Sequence, residues 1–345
     1  MATPARAVKV NRSGFPKNAY AGLPTTLCQG CGHNSITAHI ITAYYELGIS
    51  PYMVAKMSGI GCSSKAITYL IDSGHGFNGL HGRMPSVATG AAVTNRELYV
   101  IGVSGDGDTV NIGTGQFVHT VRRNVRMVYI IANNGVYGLT KGQFSATADV
   151  GVTLRTGEVN KQKPIDCCGL ALELGCDFVA RSYSGDPKHL VPLLKAAINH
   201  RGFALLDVIS PCVTYNNHEG STKSYKYVKE HAWPLDAVEF IPSYEPREVE
   251  HPEGETLEVK LPDGSYIVLK KLEKEYDPTD RIGALRVLRE AAAKKQILTG
   301  LLYVNPDTTG FDQTLALVDK PLAQLSQEEL RLPKETLEEI MEGFR

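Results

Sequence analysis

Two near-continuous apolar runs of strand length, each ending in a turn rich in glycine or asparagine, limit the fold more than any other feature. Leu98 to Val103 leads into Gly105-Asp106-Gly107-Asp108, and Met127 to Ala132 leads into Asn133-Asn134-Gly135. Runs that do not alternate with polar residues belong to strands covered on both faces, as in parallel sheets. A helical pattern through Gln116, Phe117 and Val121 lies between them. Helix and strand together fit the 28 positions from Asp106 to Asn134. Tyr52 to Met57, Asp177 to Ala180 and Phe203 to Ile209 continue the alternation. The sequence therefore predicts an α/β fold with a doubly wound parallel sheet, whose ligands sit at the carboxyl ends of the strands. Asp106 and Asn134 both fall at such ends.

Around this core the expected elements are simpler. A helix is predicted over Ser35 to Leu47, capped by Asn34 and stopped by Gly48, with Ile36, Ile40, Tyr44 and Leu47 on one face. Residues 1–27 read as an arm lying on a surface. Composition shifts after Trp233, with prolines and acidic residues between Pro234 and Pro252. Pro262-Asp263-Gly264 marks a hairpin turn, and Asp280 to Ile297 an amphipathic helix. The expected division is an arm (1–27), a cofactor domain (28–245) and a C-terminal extension (246–345) packed on the core or on a partner.

Charge excludes some classes of function. With a net charge of −1 and 21% charged residues, the chain has no electrostatic footprint for nucleic acid or an anionic membrane. No apolar run approaches a membrane span of roughly 20 residues. Met1 to Phe15 is basic without an apolar stretch, which is read as no secretory signal, and a cytoplasmic location is expected.

Gly-Asp-Gly at a strand end presents a carboxylate where backbone can approach a phosphate closely. A neighbouring Asn-Asn turn adds an amide oxygen. Mg²⁺ takes oxygen ligands and is commonly shared with substrate phosphates. Asp106, Asn134 and one backbone carbonyl supply half an octahedron. Two ordinary Gly/Asn turns are the plainer alternative. A dinucleotide fingerprint is excluded, because Val110 stands where its third glycine belongs.

The seven cysteines are at 28, 31, 62, 167, 168, 176 and 212. Cys28-Gln29-Gly30-Cys31 is a C-x-x-C pair, Cys62 lies in a Gly-rich turn, and Cys212 follows Ser210-Pro211. Four thiolates suit Zn²⁺ or a [4Fe–4S] cluster equally by ligand count. Their scatter departs from the paired C-x-x-C of zinc ribbons and leans toward a cluster set inside a large fold. Cys167, Cys168 and Cys176 read as small core residues.

Taken in order, several segments resemble the β subunits of the 2-oxoacid:ferredoxin oxidoreductases, in particular the 2-oxoglutarate branch. They are Cys28-Gln29-Gly30-Cys31-Gly32-His33, Ser58 to Ser63, His81-Gly82-Arg83, Ala88-Thr89-Gly90, Gly105 to Asp108, Asn134 to Gln143 and Ser210-Pro211-Cys212. They span roughly residues 25–230. The resemblance implies a sheet of the thiamine-diphosphate-binding type. It implies Mg²⁺ on Asp106, Asn134 and the carbonyl of Val136, and one [4Fe–4S] cluster on Cys28, Cys31, Cys62 and Cys212. The cofactor would touch Gly61, Ser63, His81, Gly105, Asp106, Gly107, Asp108, Asn134, Val136, Tyr137, Gly138, Leu139 and Thr140. Thr109 and Asn111 would lie nearby.

The implied reaction converts 2-oxoglutarate and coenzyme A to succinyl-CoA and CO₂, with electrons leaving through the cluster to ferredoxin. Thiamine enzymes place a carboxylate from a second domain on the aminopyrimidine ring. The sequence holds one such sheet unit, so an α subunit carrying the pyrimidine-binding domain is expected, in an αβ unit that dimerises. Lys65 and Lys141 are candidates to meet a second substrate carboxylate, with Lys188 behind them. Pyruvate or a branched-chain 2-oxoacid is the alternative substrate. A non-oxidative thiamine decarboxylase with structural zinc, or a zinc-stabilised scaffold without catalysis, is the alternative function.

Overall fold

Strands β4 (Met127–Asn133) and β8 (Phe203–Ile209) are buried at every position and pair side by side along their full length. The computed structural model describes residues 9–154, 156–242, 256–271 and 276–344. The other strands are β1 (Val54–Ser58), β2 (His75–Asn78), β3 (Tyr99–Gly105), β5 (Val136–Tyr137), β6 (Gln143–Phe144), β7 (Phe178–Tyr183), β9 (Ala232–Pro234), β10 (Asp236–Ile241), β11 (Thr256–Lys260), β12 (Tyr266–Lys271) and β13 (Ile297–Val304). The main sheet has the order β2-β1-β3-β4-β8-β7-β13-β9. Its first six strands are parallel, and β13 enters antiparallel beside β7. This is the mostly parallel, doubly covered sheet that the apolar runs require. Chain order reverses between β1 and β3, where such sheets open a crevice at their carboxyl ends.

The helices are α1 (Gly32–Leu47), α2 (Ala66–Tyr69), α3 (Met84–Thr94), α4 (Thr114–Arg123), α5 (Cys167–Glu173), α6 (Pro187–Asn199), α7 (Tyr225–His231) and α8 (Arg281–Ala293), followed by three short ones. One face of the sheet packs on α1 and α6, with Ile36, Ile40, Tyr44, Leu190 and Leu194 buried together. The other packs on α3, α4, α5 and α8 through Ala88, Phe117, Cys168, Leu172 and Leu288. Each of these large side chains contributes about 1.5–3 kcal/mol by leaving water. Cys167, Cys168 and Cys176 are fully enclosed in that second core.

Three expectations need correction. Helix α1 begins at Gly32, with Cys31 at the cap. Asn34 lies inside it and bonds to Thr25 and the Cys28 carbonyl. The helix starts early because Gly32 fits flush against β8: a Cβ there would stand 2.5 Å from the Ser210 hydroxyl. The arm does more than lie on a surface, since Tyr20 is wholly buried and donates to the Ile49 carbonyl at 2.7 Å. The predicted helix over 280–297 ends at Ala293, and Ile297–Val304 is a strand of the main sheet. Its apolar run is too long and unbroken for one helix face. The 262–264 turn does join a hairpin, β11 to β12, and β10 completes that small antiparallel sheet. The boundary placed at 245/246 lies outside the described residues. Among the described residues no helix is long and apolar enough to cross a membrane.

Beneath Phe178, with ring centroids 5.4 Å apart, sits His200, 2% exposed and with no hydrogen-bond partner for either ring nitrogen among the described residues. Burial depresses its pKa to about 4, against a weaker opposing pull from Asp177. The unfolded chain takes up this proton near pH 6.5, the folded chain only near 4. Stability is therefore lost as pH falls through that window, by roughly 3 kcal/mol from this residue. His200→Leu should flatten the acid limb by about one proton's slope in urea titrations between pH 7 and 4. An unchanged slope would refute the assignment.

Candidate active site

The carboxyl ends of β1, β3 and β4 surround one cavity. Asp106, 1% exposed, is the first residue past β3. Its carboxylate accepts the Gly135 N–H at 3.0 Å, the Thr147 hydroxyl at 2.6 Å and the Ser145 hydroxyl, with the Asn134 N–H at 3.4 Å. Burial raises its pKa, and the Ser145 and Thr147 hydroxyls oppose that rise. The network fixes the carboxylate at the mouth of the β3–β4 crevice. Asn134 turns its side-chain oxygen to the Val136 N–H at 3.0 Å, which leaves a second lone pair on that oxygen.

Asp108 is a second buried hub. It pairs with His81 Nδ1 and accepts from Gly82 N–H at 2.7 Å, Ile60 N–H at 3.3 Å and the Ser104 hydroxyl at 2.5 Å. These bonds tie the loops after β1, β2 and β3 together. Tyr137 donates to the Gly107 carbonyl at 2.9 Å and stands edge-on to His81. A Cβ at Gly107 would lie 2.4 Å from the Tyr137 ring, so only glycine admits this seat.

Every residue expected to touch the cofactor lines this one cavity. Gly61 and Ser63 come from the loop after β1, His81 from the loop after β2, and Gly105 to Asp108 from the end of β3. Asn134 and Val136 to Thr140 close the wall. His33, Ile60, Cys62 and Ala132 line it as well. The enclosed space is about 70 Å³, far below the roughly 300–1,000 Å³ of a complete small-molecule site. Thr109 is buried and bonded to Tyr129, while Asn111 is exposed.

The thiols of Cys28, Cys31, Cys62 and Cys212 are free and close enough to interact with one another, and Cys62 lines this cavity. Burial raises the Cys31 pKa to about 11. The His33 backbone N–H opposes that rise, and Cys212, Cys62 and Cys28 add to it. A Cβ on Gly138 would stand 3.6 and 3.7 Å from the sulfurs of Cys212 and Cys62. Among the described residues no three His, Cys, Asp or Glu side chains converge on the position of a single metal ion.

Residues 59–208 match the family described as thiamine pyrophosphate enzyme, C-terminal TPP binding domain. The 2-oxoglutarate synthase subunit KorB of Methanocaldococcus jannaschii is 34% identical over 258 residues, covering 73% of this chain and 94% of the relative. The chain belongs to the 2-oxoacid:ferredoxin oxidoreductase β subunits. The β subunit from Saccharolobus solfataricus is 44% identical over 199 residues, 57% of this chain; the chain spans 65% of that relative's length. A solved 2-oxoglutarate:ferredoxin oxidoreductase from Magnetococcus marinus, with 2-oxoglutarate, coenzyme A and succinyl-CoA bound, superposes with a TM-score of 0.75 at 29% identity. It covers 96% of this chain and 97% of its own.

Within this β subunit none of the candidate lysines lines the cavity. Lys65 reaches toward the Thr26 hydroxyl at 3.4 Å, Lys141 is exposed with a φ of 79°, and Lys188 is exposed at the start of α6. His33 lines the cavity too, although no sequence motif assigns it a role. Its Nδ1 bonds to Ser210 at 2.6 Å, and its Nε2 is 3.4 Å from the Asn134 amide. Burial lowers its pKa to about 4. Its place in Cys28-Gln29-Gly30-Cys31-Gly32-His33 was the available signal. Ser145 and Thr147 carried no signal, since they reach Asp106 from beyond the β5–β6 hairpin.

Gly59 provides a local test. A Cβ there would lie 2.1 Å from an Asp108 oxygen. Gly59→Ala should cost about 1–3 kcal/mol through overpacking and loosen the His81–Asp108 pair. Urea denaturation checks the first effect. A variant as stable as the parent would contradict it.

Proposed function

We propose that this β subunit supplies the diphosphate half of an active site that oxidatively decarboxylates 2-oxoglutarate with coenzyme A, giving succinyl-CoA and CO₂. Two electrons leave through a [4Fe–4S] cluster to ferredoxin. The observation that carries the reading is the meeting, around one cavity, of the Asp106–Asn134 pair with Cys62 and the glycine facing Cys62 and Cys212.

The residues fit the groups the reading requires. Asp106, the Asn134 side-chain oxygen and the Val136 carbonyl offer Mg²⁺ the hard oxygen set it prefers. Gly61, Gly105 and Gly107 let backbone come close to a diphosphate. Cys28, Cys31, Cys62 and Cys212 offer the four thiolates that a [4Fe–4S] cluster takes. When bound, thiamine diphosphate supplies an electron sink for loss of CO₂, and the cluster accepts the electrons. The chain's own residues hold and orient. The donors on Asp106 keep its carboxylate fixed, and the Tyr137–Gly107 bond closes the loop over the diphosphate seat. His33, kept neutral by burial, adds no positive charge beside the metal. The small cavity supports a missing wall from an α subunit that carries the pyrimidine-binding domain.

The names of the relatives support 2-oxoglutarate over pyruvate. Purified anaerobically with its partner, the protein should be brown with about four irons per chain. It should reduce ferredoxin faster with 2-oxoglutarate than with pyruvate. Colourless protein holding one zinc would favour the structural-zinc alternative, and a higher kcat/KM for pyruvate would move the substrate assignment.

A further inference from the structure

The segment after Cys212 grips the metal loop at both ends. Asn216 closes a turn on Cys212, its N–H donating to the Cys212 carbonyl at 3.0 Å. Its side-chain amide donates to the Asn134 carbonyl at 2.6 Å. The residue is 3% exposed. Gly135 has a φ of 72°, and a Cβ there would meet the Asn216 amide nitrogen at 2.7 Å, so the side chain lies flat on the Asn134–Gly135 peptide. At the far end of the loop a Cβ on Gly142 would lie 2.8 Å from the Tyr215 ring. Between these two grips, Gly138 faces the sulfurs of Cys62 and Cys212. Five consecutive residues thus carry a thiol at one end and hold the Asn134 loop at the other.

We propose that Asn216 is a positioning residue that couples the thiol seat to the magnesium loop, so that filling the seat tightens binding of magnesium and thiamine diphosphate. The inference rests on the proposed function. Anchoring Cys212 on a cluster fixes the turn that ends at Asn216. The Asn216 amide then holds the Asn134 carbonyl, and with it the side chain that would face the metal. Without an anchored Cys212 the loop keeps more freedom, and ordering it costs binding energy. By linkage the effect is reciprocal.

The test is calorimetric titration of the full chain, assembled with its partner subunit, with thiamine diphosphate at saturating Mg²⁺, before and after iron–sulfur reconstitution. The wild-type protein is expected to bind about tenfold more tightly after reconstitution, a usual size for coupling between sites. Asn216→Asp removes the amide donor at constant shape. It should take up the same iron yet show one affinity in both states. Asn216→Ser, smaller and uncharged, serves the same purpose if the aspartate variant does not fold. A variant that keeps the tenfold difference overturns the proposal, as does a wild-type protein that binds both groups without coupling. Wild-type protein that takes up neither iron nor thiamine diphosphate overturns the functional reading itself, and this inference with it.

Discussion

Asp106→Asn is expected to abolish stabilisation by thiamine diphosphate and Mg²⁺ while leaving a folded chain. At one hundred times its dissociation constant, a ligand adds about 2.7 kcal/mol to stability. The wild-type protein should gain that much, and the variant nothing. The reasoning lies in the donor count. The carboxylate accepts the Gly135 N–H, the Asn134 N–H and two hydroxyls. An amide keeps one oxygen for these donors, and the hydroxyls can rotate to accept from its NH₂. The fold therefore loses a part of one network. The metal loses the only carboxylate assigned to it. Asp106→Ala is a harsher change. It leaves several buried donors without an acceptor, each costing about 1–3 kcal/mol, and should mostly unfold the loop. Equal stabilisation of Asp106→Asn and wild type in thermal melts would remove Asp106 from the metal site.

Cys31→Ala is the second large effect. Cys31 is nearly buried at the cap of α1, and it senses the other three thiols. Truncation there removes one sulfur and little volume, so the fold should survive. The cluster should not. The variant is expected to be colourless, to carry almost no iron, and to lose 2-oxoglutarate-dependent ferredoxin reduction. It should still bind thiamine diphosphate at the affinity of the cluster-free form. Cys168→Ala provides the contrast. It removes a wholly buried thiol of the opposite core, so iron content should be untouched while stability falls through the cavity it leaves. Full iron content in Cys31→Ala, measured by metal analysis and absorbance near 400 nm, would rule out its role as a ligand.

The sheet and the cavity wall were legible because both are local in sequence. A strand that ends in Gly-Asp-Gly or Asn-Asn-Gly announces its own carboxyl end, and topology then brings such ends together. What the sequence hid was non-local. The Asn124 side chain links β4's entrance to Asp177 and Thr308, far along the chain. Thr147 joins Asp106 to Asn133, whose amide reaches Asp207, which in turn pairs with Arg181. No spacing rule reveals such a chain, because each link is set by tertiary packing. Lys65 and Lys141 have sequence neighbours in the cavity wall but do not line it themselves. Strand β13 starts at Ile297, where the expected helix ends, and its unbroken apolar run carries no periodicity that tells strand from helix.

That last strand has a consequence for how the protein is made. β13 leaves the ribosome well after β7, yet it covers the edge of β7. At about 5–20 residues per second, the nascent sheet spends several seconds with that edge bare after residue 183 has emerged. A bare edge is an invitation to pair with another chain. Biosynthesis of this subunit therefore has a window in which a chaperone, or a nascent partner, would matter most. A fragment that stops at residue 245 would never leave it.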